Sequence, residues 1–250
     1  NPVGYQWYLD GNAVDGAIGA SLQISNVSVA NQGAYHAVLS NPVSTVTSEF
    51  ATLVVNIPPG IAVQPVAQTV EKGRSAVFTV EVKGTAPFSY QWQYDGIDID
   101  GATSEELVID SVDASNDGDY AVIVQSLYGA VASEVAGLNV LLPLEITVQP
   151  KDTHVDVEAT LSMVVVVSGS GPYAYQWYHG SKKIEGATES VLEIDGMLRA
   201  NGGTYHVEVS NTIEVVASRD ADVIVEEAIS INVHPLGTEI LGGESATFFA

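Results

Sequence analysis

Residues 90–120 read YQWQYDGIDIDGATSEELVIDSVDASNDGDY, and this stretch decides the fold. It places Trp92 in an alternating apolar pattern, turns at the dipeptide Asp95-Gly96, and ends at Tyr120 behind an Asp-Gly-Asp run. Alternation of apolar and polar residues has the two-residue period of a half-buried strand, and Asp-Gly favours a tight hairpin turn. The stretch therefore predicts short strands joined by turns.

The same pattern occurs three times at a constant step of 85 residues, without insertion or deletion. A fixed period of this kind identifies a tandem array in which each repeat is one structural unit. The recurring positions hold tyrosine, tryptophan, glycine and serine. They are Tyr5, Tyr90 and Tyr175; Trp7, Trp92 and Trp177; Gly33, Gly118 and Gly203; Tyr35, Tyr120 and Tyr205; and Ser48, Ser133 and Ser218.

The period divides the chain into four segments. Residues 58–142 and 143–227 are complete repeats, called repeat 2 and repeat 3. Residues 1–57, called repeat 1, lack the N-terminal strands of a repeat, and residues 228–250 correspond to the first strands of a further one. We expect each complete repeat to form one domain, because a segment of this length can bury its own core.

Each complete repeat carries stripes of alternating apolar residues. In repeat 2, Ala76, Phe78 and Val80 form one stripe, and Leu107 and Ile109 form another. No stretch of helical length shows a 3.6-residue apolar period. About six to eight short strands with turn signals every ten or so residues are typical of a β-sandwich. We therefore predict an all-β chain of tandem sandwich domains in a linear array.

The pattern in repeat 2 runs Gly73, Val80, Trp92, Leu107 and Asn116-Asp-Gly-Asp-Tyr120. In this order and spacing it resembles the immunoglobulin superfamily, nearest its intermediate-set domains. The resemblance implies that Trp92 is buried on strand C and that Tyr120 forms the tyrosine corner at the start of strand F. It covers the whole chain, because the pattern recurs in every repeat.

The chain contains no cysteine. Where the family has its disulfide, repeat 2 has Val80 and Val122, and repeat 3 has Val165 and Val207. The missing crosslink removes roughly 2–4 kcal/mol of stabilisation, so we expect apolar packing of the valines around the tryptophan. Cysteine-free repeats of this kind resemble those in large secreted or surface proteins of bacteria.

The charge of the chain excludes several classes of partner. Asp and Glu number 31 against 8 Lys and Arg, which gives a formal net charge of −23. Nucleic-acid binding by phosphate neutralisation needs clusters of Lys and Arg, and anionic lipid repels an acidic chain. No apolar run approaches the length of a membrane span. The sequence therefore predicts no nucleic-acid partner and no membrane insertion.

A search for chemistry finds no catalytic arrangement. None of the five histidines lies in a nucleophile motif, and the acidic residues do not recur with metal-ligand spacing. The dipeptide His179-Gly180 is interpreted as a solvated hairpin turn in place of Asp-Gly. We therefore predict a non-enzymatic protein without a catalytic, cofactor-binding or metal site, and without a cofactor.

One surface feature is a candidate contact. The residues that follow each tryptophan and each corner tyrosine should face outward on the neighbouring strands C and F. These positions pair Tyr8 with His36 in repeat 1 and Tyr178 with His206 in repeat 3, whereas repeat 2 has a glutamine and an alanine. The pair is either an ordinary cross-strand contact or a patch for lateral association or ligand binding.

The ends of the chain are out of phase with the repeat, and two explanations stay open. In one, residues 228–250 donate strands to residues 1–57 of another copy, which gives a head-to-tail polymer. Ala250 and Ala37 would then occupy the two cysteine positions of the composite domain, with Phe248 in the donated strand. In the other, the chain is a window on a longer array.

The expected function is structural. Short proline-containing linkers, at Pro58-Pro59 and Pro143, stiffen an array of this kind. Repulsion between acidic repeats favours an extended, soluble stalk. We expect an extracellular or cell-surface filament or stalk whose main partner is itself. The alternative is an adhesin or ligand-binding module whose partner is a surface protein or a glycan.

Overall fold

A computed structural model describes residues 3–227 and, beyond them, Gly237, Glu239, Gly242, Ser245, Thr247 and Phe248. The chain forms two compact units. The first is Asn1–Thr69, Ser75–Asp110 and Asn116–Asn139, and the second is Val70–Arg74, Ser111–Ser115 and Val140–Ala250. The boundaries of the four segments, 1–57, 58–142, 143–227 and 228–250, stay predictions.

In the described part of the chain, regular structure consists of β-strands and three single-turn 3-10 helices. The strands of repeat 1 are β1 Gly4–Leu9, β2 Asn12–Ala13, β3 Gly33–Ser40, β4 Thr45–Thr47 and β5 Ala51–Leu53. Those of repeat 2 are β6 Gly60–Val63, β7 Gln68–Glu71, β8 Ala76–Thr79, β9 Glu81–Lys83, β10 Ser89–Tyr94, β11 Ile97–Asp98, β12 Glu106–Ile109, β13 Gly118–Ser126, β14 Gly129–Ala132 and β15 Ala136–Leu141. Those of repeat 3 are β16 Glu145–Val148, β17 Thr153–Asp156, β18 Leu161–Val164, β19 Val166–Ser168, β20 Ala174–His179, β21 Lys182–Lys183, β22 Val191–Ile194, β23 Gly203–Ser210, β24 Val215–Ala217 and β25 Ala221–Glu226. The helices are Val29–Asn31, Ala114–Asn116 and Arg199–Asn201.

Repeats 2 and 3 have the same sheet topology. Repeat 2 has a large sheet of order β11-β10-β13-β15-β7 with β14 added to β13, and the small sheets β8-β12 and β6-β9. Repeat 3 has a large sheet of order β21-β20-β23-β25-β17 with β24 added to β23, and the small sheets β18-β22 and β16-β19. The ladder between β17 and β25 is parallel, and the ladders between β20 and β23 and between β18 and β22 are antiparallel. The prediction of tandem all-β sandwiches is confirmed.

The core of repeat 3 lies between the β18-β22 sheet and the large sheet. Trp177 is fully buried there, and alternate residues of β23 point to it: Tyr205, Val207 and Val209 are buried. The predicted apolar packing at the cysteine positions is confirmed, because Val165 and Val207 are 2% and 0% exposed. In repeat 2 the corresponding buried residues include Phe78, Val80, Trp92, Tyr120 and Val122.

Recurring hydrogen bonds explain why a tyrosine and a serine occur at the same position in every repeat. The hydroxyls of Tyr35, Tyr120 and Tyr205 donate to the backbone carbonyl four residues earlier, at 2.6, 3.0 and 2.7 Å. The predicted tyrosine corner is therefore confirmed. The recurring serine accepts the backbone N–H at the second cysteine position, at 2.9 to 3.0 Å, and donates to the carbonyl of the next residue. This serine thereby ties together two neighbouring strands of each large sheet.

Repeat 1 has the large sheet alone, of order β2-β1-β3-β4 with β5 paired to β3. Residues 22–24 correspond to β12 and β22 but are not a strand. Trp7 is half-buried, whereas Trp92 and Trp177 are fully buried.

Candidate contact surface

The pair predicted in repeat 1 is in contact. Tyr8 on β1 lies directly opposite His36 on β3, and their rings stack with centroids 5.1 Å apart and planes inclined by 9°. On the other side of His36, the Phe50 ring lies 4.7 Å away at an angle of 58°. Phe50 was not among the predicted residues, although its position one residue before β5 places it beside β3.

The equivalent pair in repeat 3 has polar neighbours. Tyr178 and His206 stack with centroids 4.9 Å apart and planes inclined by 3°. The Tyr178 hydroxyl donates to Oε2 of Glu208 at 2.9 Å, and this hydrogen bond raises the pKa of Tyr178 because it favours the protonated phenol. His206 Nδ1 lies 3.4 Å from Oδ1 of Asp220, within ion-pair distance but outside hydrogen-bond geometry. Asp220 takes the place that Phe50 has in repeat 1.

Repeat 2 has no ring pair at these positions. Gln93 lies opposite Ala121, and its amide donates to Oδ1 of Asp98 at 2.8 Å. Val135 occupies the position next to Ala121 that corresponds to a phenylalanine in repeat 1 and an aspartate in repeat 3. The three repeats therefore share one backbone arrangement but present three different chemistries on the outer face of the large sheet.

The stacked histidines are poorly placed to act through Nδ1. In the described residues, Nδ1 of both His36 and His206 is buried and makes no hydrogen bond. Across residues 3–227 and the few described beyond them, no group of three or more His, Asp or Glu side chains could hold a metal ion. In this arrangement the two rings pack against their tyrosines.

The interpretation of His179-Gly180 as a solvated turn is wrong. His179 is the last residue of β20 and stacks on Tyr205 with ring centroids 4.5 Å apart, and its Nε2 lies 3.1 Å from the carbonyl oxygen of Gly202. The turn consists of Gly180 and Ser181. Gly180 has φ 56°, and the equivalent Asp95 has φ 48°. The dipeptide comparison was out of register by one residue.

A second recurring feature was not predicted. The residue just before each complete repeat makes two backbone hydrogen bonds to a loop of that repeat, at Thr85 in repeat 2 and at Ser170 in repeat 3. Ile57 N–H donates to Oγ1 of Thr85 at 2.9 Å, and its carbonyl accepts the Thr85 N–H at 2.9 Å. Leu142 N–H donates to Oγ of Ser170 at 2.8 Å, and its carbonyl accepts the Ser170 N–H at 3.1 Å. We call these two pairs the linker clamps.

Glycine is required next to each clamp. Gly84 and Gly169 have φ of 128° and 115°, a backbone region that side chains rarely adopt. A Cβ at Gly84 would lie 2.6 Å from the carbonyl oxygen of Pro58, and one at Gly169 would lie 2.2 Å from that of Pro143. The hydroxyl residue and the preceding glycine recur at the 85-residue step, so the repeat alignment contained this signal.

The residues predicted for head-to-tail complementation are only partly described. Ala37 is buried on β3 opposite Trp7. Phe248 is 59% exposed. Ala250 lies outside the described residues, so the complementation stays a prediction. In the described part of the chain, no helix is long and apolar enough to cross a bilayer.

Among curated proteins, the chain resembles two kinds of relative. It is 28% identical to the muscle M-line assembly protein unc-89 of Caenorhabditis elegans, over 97% of this chain and 3% of that protein. It is 25% identical to the cell adhesion molecule DSCAML1 of Mus musculus, over 92% of this chain and 12% of that protein. The chain thus spans a small part of each relative, and both relatives are animal proteins, so the likeness to bacterial surface proteins stays a prediction.

Solved structures support the same fold. An I-band fragment of titin superposes with a TM-score of 0.64 at 16% identity, over 90% of this chain and 88% of that one. The sidekick-1 immunoglobulin domains 1–4 superpose with a TM-score of 0.57 at 18% identity, over 90% and 68%. Residues 58–126 match the immunoglobulin domain family, and the chain has the fold of a tandem array of immunoglobulin-like domains.

Proposed function

We propose that the chain is a non-enzymatic structural segment of an extracellular or cell-surface stalk or filament. The observation that carries this proposal is the linker clamp, which occurs before both complete repeats at the same phase. Each clamp removes backbone freedom from the linker, because the residue that would otherwise rotate is hydrogen-bonded to the domain that follows. The names of the relatives, a muscle assembly protein and a cell adhesion molecule, support a structural or adhesive role.

The charge distribution supports separated domains. Repeat 2 has 12 acidic and 3 basic residues, and repeat 3 has 14 and 5, which gives −9 for each. Like charge on successive domains disfavours their collapse onto one another. This repulsion is screened over about 8 to 10 Å at physiological ionic strength, so it acts mainly on neighbouring surfaces.

The array is proposed to continue head to tail, either within a longer polypeptide or from chain to chain. Intact-mass spectrometry of the natural protein separates the two arrangements. A polypeptide of about 26.2 kDa that forms polymers supports chain-to-chain complementation through residues 228–250, and a much larger polypeptide supports a continuous array.

The clamp is tested by removing its hydroxyls. In the double variant Thr85→Val, Ser170→Ala, we expect the amide hydrogens of Ile57 and Leu142 to exchange about tenfold faster, because each loses one hydrogen bond. The matched control Thr85→Ser, Ser170→Thr keeps both hydroxyls and should exchange like the unchanged chain. Amides of β13 and β23 report whether the domains stay folded.

The consequence for the stalk is measured by small-angle X-ray scattering. We expect a radius of gyration well above about 18 Å, the value for a compact chain of this length. The hydroxyl-free variant should give a broader distance distribution than its control. A compact particle, or a distribution that the clamp variants leave unchanged, would contradict the stalk proposal.

A second candidate function is adhesion or ligand binding by the outer face of the large sheet. The stacked pairs Tyr8–His36 and Tyr178–His206 favour it, because aromatic side chains supply anchors at interfaces. The partner would be a surface protein or a glycan. Protein and glycan arrays probed with the chain should show a hit that Tyr8→Ser or Tyr178→Ser weakens. An array without such a hit would leave this function without support.

A further inference from the structure

A row of three aromatic rings crosses the outer face of the repeat 1 sheet. It runs from Tyr8 on β1 through His36 on β3 to Phe50, with centroid distances of 5.1 and 4.7 Å. Phe50 is 64% exposed, so the row ends in a phenylalanine that is largely in solvent. Single exposed apolar side chains are common, but a continuous aromatic row presents an organised apolar surface.

The neighbouring outward positions on β3 and β5 are uncharged as well, and the carboxylate of Asp10 borders them, with its Oδ1 accepting the Ala34 N–H at 2.9 Å. Ala34 on β3 lies opposite Thr52 on β5, and Val38 lies one outward position beyond His36 on β3. We define the repeat 1 face as Tyr8, Ala34, His36, Val38, Phe50 and Thr52.

The same positions carry charge in the other repeats. In repeat 3 they include Glu208, Asp220 and Asp222, in place of a valine, a phenylalanine and a threonine. In repeat 2 they include Asp119, in place of an alanine. Repeat 1 as a whole has only 3 acidic residues and no base. Of the three equivalent faces, the repeat 1 face alone is free of Asp, Glu, Lys and Arg.

We propose that two copies of this chain associate through the repeat 1 face, in a two-fold contact that buries the aromatic row. The chain carries −23, so two copies repel wherever charged faces meet. In a two-fold contact, the same patch of each copy faces its counterpart on the other copy. A charged patch would therefore place like charges opposite each other or bury charges without partners, whereas an uncharged patch does neither. A charged partner would find no counter-charge here, so the chemistry favours a second copy. The association is independent of the stalk proposal.

The test is sedimentation of the 250-residue chain over a range of concentrations. We expect a reversible monomer–dimer equilibrium that strengthens with added salt, because salt screens the repulsion between acidic chains. In Phe50→Asp, the association constant should fall by about 30-fold or more, as for loss of an interface anchor. The fold should tolerate this change, since repeat 3 has Asp220 at the equivalent position beside His206.

Val135→Asp is the matched control, because it introduces the same charge at the same phase in repeat 2. It should leave the association constant unchanged. The proposal is overturned if the unchanged chain stays monomeric up to about 1 mM, a range that includes weak complexes. It is also overturned if Phe50→Asp and Val135→Asp have equal effects, or if the dimer persists in Phe50→Asp, since association then involves another surface such as the open side of repeat 1.

Discussion

Glu158 has a left-handed backbone conformation, with φ 71°, where the equivalent residue of repeat 2 is Gly73 with φ 85°. The Glu158 N–H donates to the backbone carbonyl of Met197 at 2.8 Å, and the Gly73 N–H donates to that of Val112 at the same distance. A residue with a Cβ is disfavoured in this region by about 1–2 kcal/mol. Because Glu158 is exposed, we expect Glu158→Gly to raise the free energy of unfolding of repeat 3 by about 1 kcal/mol. Hydrogen exchange of the β23 amides measures the change.

Two variants separate backbone strain from charge in this prediction. Glu158→Gln keeps the left-handed strain and removes the charge, so it should leave the exchange of β23 unchanged. Gly73→Ala introduces the strain into repeat 2 and should lower its stability by about 1 kcal/mol. If Glu158→Gln stabilises repeat 3 as much as Glu158→Gly, charge repulsion rather than strain is the cause.

We expect repeat 2 to lose stability at alkaline pH because of its corner tyrosine, Tyr120. Burial, with smaller effects of Tyr94, Asp95 and Asp117, raises the pKa of Tyr120 to about 12 from 10.0. The folded state therefore holds this proton more tightly than the unfolded state. The resulting stability is fully present below pH 10 and is lost as the pH rises towards 12.

The measurement is denaturant unfolding of repeat 2 between pH 8 and pH 12, with Trp92 as the probe in a Trp7→Phe, Trp177→Phe background. Tyr120→Phe removes the hydrogen bond to Asn116 and should cost about 1 kcal/mol at neutral pH. Its stability should fall less steeply above pH 10 than that of the parent. An equally steep fall in both proteins would show that other groups titrate in this range.

Residue roles were predictable from the sequence where the repeat alignment and the family pattern agreed. The corner tyrosines and the valines at the cysteine positions are examples, because both depend on burial that alternation encodes. His179 was misplaced because a dipeptide resemblance was compared one residue out of register. Phe50 was missed because its contact with His36 requires knowing which strand lies beside β3.

At the scale of elements, the loop that carries each clamp depends on a glycine. Gly169→Ala would place a Cβ 2.2 Å from the backbone oxygen of Pro143, at φ +115°. Because a backbone atom cannot move away cheaply, we expect this variant to lower the stability of repeat 3 by about 3 kcal/mol or more. Denaturant unfolding with Trp177 as the sole tryptophan measures it.

Gly180→Ala is the matched control for this prediction. Gly180 also has a positive φ, +56°, but nothing lies within 4 Å of its Cβ position. The cost should therefore be about 1 kcal/mol, from backbone conformation alone. Equal costs at both glycines would mean that the approach of Pro143 relaxes freely and that the clamp loop is not tightly packed.

The elements also show where a sequence pattern needs a partner. Leu22 and Ile24 repeat the alternation of Leu107 and Ile109, yet residues 22–24 form no strand whereas Glu106–Ile109 pairs with Ala76–Thr79. A strand is stabilised by hydrogen bonds and side-chain pairs with a neighbouring strand, and an alternating sequence does not provide that neighbour. Sequence periodicity therefore indicates which residues can face a core, but a strand forms only where a neighbouring strand pairs with it.

For the whole molecule, the charge is unevenly divided. Repeat 1 has a net charge of −3 and each complete repeat has −9. The net charge of −23 therefore does not indicate how acidic any one surface is. Composition correctly indicated an acidic surface but averaged over the uncharged repeat 1 face. Comparing the repeats position by position reveals the uncharged face, because residues 85 apart lie at the same place on the sheet in each repeat.

The accessibility of Trp7 tests how repeat 1 is completed. Trp7 is half-buried where Trp92 and Trp177 are fully buried, so with Trp7 as the sole tryptophan, acrylamide should quench the fluorescence strongly in dilute protein. If residues 228–250 of another copy complete repeat 1, quenching should weaken as the concentration rises, because a donated strand covers the ring. The variant Phe248→Asp should abolish that protection. Strong quenching at every concentration would contradict chain-to-chain complementation while leaving a longer continuous array intact.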